Sequence, residues 1–152
     1  MTYAAIGNHE NFRKAITDYE MSLRYQDPNK IPNPTGLANV LENPAMKHKT
    51  LFNLGIAYRR VGNCLESIKR LEDAMKLNHA KAATANNLGL SYFDIEQYED
   101  ANENFEKAVE SEQAQVDDKK GNPEDLAFYY NNVGLCRVAL GSAAKQVEES
   151  ET

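Results

Sequence analysis

Three asparagines each stand directly before an apolar–glycine pair: Asn53 before Leu54-Gly55, Asn87 before Leu88-Gly89, and Asn132 before Val133-Gly134. A carboxamide carries donor hydrogens and an acceptor oxygen, so one asparagine can pair with both groups of a peptide unit. A row of them grips polypeptide backbone rather than a particular side chain. Each amide contributes only about 1 kcal/mol net, so the row alone gives weak binding. Asn86 and Asn131 set a second amide beside the first in two of the three places. Asparagine is a mediocre helix former, so aligned interior copies need a reason beyond local propensity. The competing reading makes these residues polar surface, or structural links between adjacent helices.

Other reactive chemistry is sparse. Catalysis needs a nucleophile–base pair, a metal cluster or a phosphate loop. Gly7 and Gly36 stand alone, and carboxylates such as Glu99, Asp100, Glu103 and Glu106 fall on predicted helix surfaces as solvated charge. His9, His48 and His79 have no metal-ligand spacing among themselves or with Cys64 and Cys136. The two cysteines lie far apart within predicted helices and read as buried free thiols in a reducing compartment. The chain therefore reads as no enzyme, with no cofactor and no metal. Its expected location is cytoplasmic, with a cytoskeletal or ciliary setting open.

The 152 residues amount to one domain's worth of chain, with 41% hydrophobic and 26% charged residues, the balance of an ordinary soluble protein. The net charge of -6 argues against a general nucleic-acid binder, which needs clustered Lys and Arg, and against an anionic membrane surface. No apolar run is long enough to span a bilayer. The stretch from Met1 to Gly7 has neither the basic start nor the apolar core of a secretory signal.

The elements that must hold the asparagines recur with a fixed period. Leu88-Gly89 follows Leu54-Gly55 by 34 residues. In the same register Tyr58 matches Tyr92, Ser67 matches Ala101, Leu71 matches Phe105, Ala74 matches Ala108, and Met75 matches Val109. Apolar residues such as Leu51, Leu54 and Tyr58 fall at helical spacing. The glycine sits where a Cβ would hold paired helices apart, and the small residues of the second helix serve the same close approach. Asn43-Pro44 and Asn122-Pro123 are N-cap and first-position signals, with Asp125 suited to the exposed amides. Gly62 and Gly141 mark expected helix ends.

Residues 51–58 with 63–75, and 85–92 with 98–109, resemble the paired helices of the tetratricopeptide repeat, a 34-residue helix-turn-helix unit. The resemblance implies an all-α fold, a right-handed superhelix of antiparallel helix pairs with two full repeats flanked by partial ones. Residues 1–29 form a partial repeat, mainly a second helix built on Phe12, Ala15, Ile16, Tyr19, Ser22 and Leu23. Residues 30–43 form a proline-containing insertion loop, with one short turn around Thr35 to Leu41. Full repeats span 44–80 and 81–122, the latter with an extended linker. Residues 123–147 form a partial repeat whose first helix runs from Leu126 to Leu140 and whose second is weak. Residues 148–152 form an acidic disordered tail. Such ends read as those of a fragment, or of a chain completed by a neighbour.

The last Leu/Val-Gly interval is 45 residues, with the extra length around Gln113 to Asn122. Lys120-Gly121-Asn122-Pro123 followed by Asn131-Asn132-Val133-Gly134 is similar to the longer repeats of kinesin light chains. That likeness covers one linker and implies geometry more than a shared cargo.

In this family the first helices line a concave groove that binds peptides. The resemblance therefore places Asn53, Asn87 and Asn132 in a row there, similar to the asparagine ladder of O-linked N-acetylglucosamine transferase, with Asn86 and Asn131 beside it. Phe52, Ile56, Leu90, Phe93, Phe128 and Leu135 are candidate apolar anchors, or else packing between repeats. Lys49, Arg59 and Arg60 are candidates to receive an acidic side chain, or else a solvated face. A chaperone-type carboxylate clamp is not expected, because its Lys and Asn positions fall on Phe52, Ile56 and Phe128 and only Asn87 fits. The expected function is a non-catalytic protein–protein interaction module or adaptor. The alternative is a structural subunit of a larger ciliary, cytoskeletal or transport assembly, contacting partners by helix edges and solenoid ends.

Overall fold

The computed structural model describes residues 3–27, 43–77 and 81–150. The insertion expected at 30–43, with its short turn, lies outside the described residues apart from Asn43, as does the end of the acidic tail. Every regular element among the described residues is an α-helix. The chain divides into two compact units, Met1–His79 and Ala80–Thr152.

The first unit holds α1 (Tyr3–Tyr25), α2 (Pro44–Arg60) and α3 (Cys64–Lys76). Helix α2 starts because Asn43 accepts hydrogen bonds from the Ala45 and Met46 amides, while Pro44 occupies a first-turn position that needs no donor. It stops at Gly62, whose φ of +82° suits a residue without a Cβ. There the Asn63 amide donates back to Tyr58 O at 2.9 Å and closes the helix end. Asn63 then caps α3 by accepting from the Glu66 amide. Helix α2 packs against both α1 and α3. Leu51, Leu54, Ala57, Ile68, Leu71 and Ala74 are buried in this unit. Two side-chain links tie α1 to α2: the Tyr58 hydroxyl donates to the Glu20 carboxylate, and Gln26 Nε2 donates to Thr50 Oγ1.

The second unit holds α4 (Lys81–Asp94), α5 (Tyr98–Asp117) and α6 (Pro123–Ser150). Helix α5 packs on α4 and on α6. Its core gathers Ala101, Phe105, Val133 and Cys136. The long 45-residue interval is explained chiefly by α5, which runs 20 residues against 13 in α3. Beyond it, Lys120 and Gly121 amides donate back to Gln115 O. Glu112, buried, accepts from the Asn122 amide at 2.7 Å, and Asn122 Oδ1 in turn accepts from the Glu124 amide to start α6.

Tyr3 to Tyr25 form one continuous helix. Two expectations need correction. Gly141 does not end α6, which continues through Ser150 without a second helix at Ser142. The backbone there has no positive φ, and Ala143 and Ala144 are strong helix formers that outweigh one interior glycine. For the same reason the acidic stretch is helical as far as Ser150.

Candidate functional site

The structure distributes the candidate residues over the first helices of each pair. In the first unit, α2 carries Lys49 and Arg60 exposed, with Phe52, Asn53, Ile56 and Arg59 half-buried. The Phe52 ring stacks on the buried His48 imidazole, with centroids 5.9 Å apart and planes 16° from parallel. In the second unit, Asn87, Leu90 and Phe93 on α4 are half-buried. On α6, Asn131, Phe128 and Leu135 are exposed, the last two at 51% and 56%.

The amides separate into two kinds. Asn86 and Asn132 are 4% and 6% exposed, and Asn132 Nδ2 donates to Asn86 Oδ1 at 2.7 Å. This bond links α4 to α6 across their buried faces, where an unpaired amide would be costly. Asn87 Nδ2 donates to Ala83 O one turn earlier in its own helix, at 2.9 Å. The signal for the buried link is the pair of doublets, Asn86-Asn87 and Asn131-Asn132. It joins the first member of one doublet to the second member of the next, a diagonal that an aligned row does not suggest.

The apolar candidates separate too. Leu90 and Phe93 pack against the core of the second unit, and Phe93 meets the Tyr98 ring edge-on at 5.2 Å. Phe128 meets Tyr129 in a similar edge contact at 6.1 Å while remaining half-open to solvent. An open groove of about 290 Å³ lies between α5 and α6, with Val109, Glu110, Tyr130 and Val133 in its walls. On its rim Arg137 donates to Glu106 Oε1 at 3.0 Å. That bond, with a second from Asn102, holds the Glu106 carboxyl below its ordinary value. Both partners are exposed, so the pair contributes little to stability.

Titration is perturbed at structural positions. Burial, reinforced by the Glu20 carboxylate, pushes the Tyr58 hydroxyl up to about 12. Burial, reinforced by Asp125 and Glu112, pushes Tyr129 up to about 12. Burial raises the Cys136 thiol, and Glu99 and Glu106 add to the effect. The thiol also donates to Tyr98 O at 3.1 Å, so it serves packing between α5 and α6. Among the described residues no three His, Cys, Asp or Glu side chains gather as a metal site. Among the same residues no helix is long and apolar enough to cross a membrane.

A family model described as tetratricopeptide repeat matches residues 48–114. The match takes in most of α2, all of α3 and α4, and most of α5, which are two successive helix pairs. The described fold is accordingly all-α and consistent with a tetratricopeptide-type helical repeat, with the family match confined to residues 48–114. Repeats of this kind are non-catalytic and generally mediate protein–protein interactions. No curated protein matched the chain.

Proposed function

We propose that the chain is a non-catalytic adaptor that binds a polypeptide segment on its first helices, inside the cell. One observation carries this reading: the matched repeats hold Asn53 and Asn87 half-open on α2 and α4. These two amides supply backbone hydrogen bonds, and exposed Phe128 and Leu135 supply apolar anchors. Asn132 reaches a ligand only by giving up its bond to Asn86, so its place in the ladder is the weakest. Lys49 and Arg60 are exposed and suit an acidic side chain on the ligand. The long α5 and its turn support the geometric likeness to kinesin light chain repeats.

Crosslinking followed by peptide mapping identifies the bound segment, and titration calorimetry then measures it. At about 1 kcal/mol per amide, Asn53→Ala with Asn87→Ala weakens binding about thirtyfold. Unchanged affinity in the folded double variant rules out the ladder.

A second reading, a subunit of a larger assembly that docks through its ends, is favoured by α6. Its Leu135 and Val138 are 56% and 70% exposed on a helix without a following partner among the described residues.

A further inference from the structure

A cavity of about 330 Å³ opens within the second unit, where the start of α4, the end of α5 and the start of α6 meet. Ala82 and Ala83 of α4, Glu112 of α5, Gly121 of the turn, and Asp125 and Tyr129 of α6 stand in its wall. Ligand sites run from about 300 to 1,000 Å³, so this one suits a single long side chain. The turn is built to hold a charge there. Glu112 is 7% exposed; its Oε1 accepts from the Asn122 amide at 2.7 Å and its Oε2 from Gln115 Nε2 at 3.4 Å. A methyl group on Gly121 would stand 2.6 Å from Val116 N and 2.8 Å from Glu112 Oε1, so the turn closes on the carboxylate only with glycine at that place.

The cavity keeps unused hydrogen-bonding capacity. Tyr129 is 6% exposed, yet its hydroxyl has no hydrogen-bond partner among the described residues. A buried hydroxyl left in that state is costly. A carboxylate offers about four acceptor sites, and Glu112 fills two of them. Asp125, exposed on the rim, brings a second carboxylate. Burial, and then the charges of Asp125 and Glu112, push the Tyr129 hydroxyl up to about 12. The same charges that disfavour a phenolate favour a cation. Lys120 also reaches the rim, but it is exposed and pairs with Asp118 at 3.8 Å.

We infer that this cavity takes a basic side chain, arginine or lysine, of the polypeptide segment bound on α4. The cation meets Glu112 and Asp125, and the Tyr129 hydroxyl accepts one of its hydrogens. Its aliphatic stem lies along the Tyr129 ring and the Ala82 and Ala83 methyl groups. The register follows from Asn87, whose amide bonds to Ala83 O one helical turn away. One turn is about 5–6 Å, which an extended strand crosses in about two residues. The basic residue therefore stands about two places along the segment from the peptide unit held at Asn87. This assignment rests on the groove reading above and deepens it by naming one side chain of the ligand.

An NMR titration of the full chain with acetyl-arginine methylamide tests the cavity by itself. The expected shifts centre on the Gly121 and Asn122 amides, and the citrulline analogue, of like shape without the charge, leaves both in place. Glu112→Gln keeps an acceptor for the Asn122 amide and removes the charge. It and Asp125→Asn each weaken the arginine probe about tenfold, and Tyr129→Phe weakens it about fivefold. Should Glu112→Gln melt early, Asp125→Lys, at an exposed position, repels the probe with the melting temperature kept. Unshifted Gly121 and Asn122 amides overturn the inference, as does an equal response to citrulline or an affinity unchanged in both Asp125 variants. In the segment mapped by crosslinking, glutamine in place of the basic residue weakens binding about tenfold to the parent and leaves binding to Asp125→Lys unchanged. A mapped segment with no basic residue at that distance overturns the inference, and so does an equal loss in both proteins. Asn53→Ala with Asn87→Ala leaves the affinity for the arginine probe unchanged, so a failed ladder and a failed cavity give different results.

Discussion

Alanine at each repeat glycine separates close packing from helix propensity. In an open helix, Gly→Ala stabilises by about 1 kcal/mol, because alanine loses less backbone freedom on folding. At Gly134 nothing opposes that gain. At Gly89 the new methyl lies 2.7 Å from both Phe105 Cδ1 and Cε1 and 3.1 Å from Ala101 O. Phe105 is 1% exposed and central to the core, so its ring cannot swing away. At Gly55 the methyl meets Leu71 at 2.6 and 2.9 Å and Ser67 O at 3.3 Å. Overpacking of this kind costs about 1–3 kcal/mol. Subtracting the propensity gain leaves Gly55→Ala and Gly89→Ala destabilised by up to about 2 kcal/mol, while Gly134→Ala is stabilised by about 1. For a chain of this length each kcal/mol moves the melting temperature by about 2–4 °C. Thermal melts by circular dichroism therefore rank Gly134→Ala above the parent and the other two below it. A second test uses Phe105→Leu, which shortens the obstructing side chain. Gly89→Ala then costs less in the Phe105→Leu background than in the parent, a coupling that a double-mutant cycle measures. If all three alanine variants melt alike, glycine is not there for close approach.

Three further outcomes follow from other contacts. Asn132→Ala leaves Asn86 Oδ1 buried without its donor and costs about 1–3 kcal/mol in denaturant melts, whereas Asn87→Ala, at a half-open site, changes stability by less than about 0.5; equal effects refute the division between structural and ligand-facing amides. Glu96 has φ +63° at the turn position that Gly62 fills in the preceding repeat, so Glu96→Gly stabilises by about 1 kcal/mol, and an unchanged melt shows the strain is absent. Tyr58 and Tyr129 ionise near 12 in the fold and near 10 in the unfolded chain. Their contribution is complete below pH 10 and lost as pH rises towards 12, because deprotonation then favours the unfolded state. An alkaline titration followed by tyrosinate absorbance loses a late component near pH 12 in Tyr58→Phe with Tyr129→Phe.

Much of the fold was legible because the repeat writes its packing twice. Leu54-Gly55 and Leu88-Gly89, with Leu71 and Phe105 opposite them, specify two helix pairs through spacing alone. The caps at Asn43 and Asn122 were equally plain, since Asn-Pro has few other uses at a helix start. Gly141 misled because glycine marks a helix end only when the chain turns there with positive φ. Gly62 does so, and Gly141 remains within a helix that its alanines sustain. The site was harder to read. Alignment of repeats shows which residues are equivalent, but hydrogen bonds join residues that are near, and these need not be equivalent.

The asparagine doublets show the consequence. The bond from Asn132 to Asn86 pairs the second residue of one doublet with the first residue of the preceding one. Such a diagonal needs an amide at both positions. Asn87, at the second position of its own doublet, instead bonds within its helix to Ala83 O. Asn131, at the first position of the last doublet, is exposed. One residue type in one register thus has two fates: Asn132 is bonded to a neighbouring helix, and Asn87 to its own. With Asn86 opposite it, the Asn132 amide is a buried strut between α4 and α6. The Asn87 amide bonds within its own helix and stays half-open, so a peptide backbone offered to α4 competes there with a local bond and not with a buried link between helices.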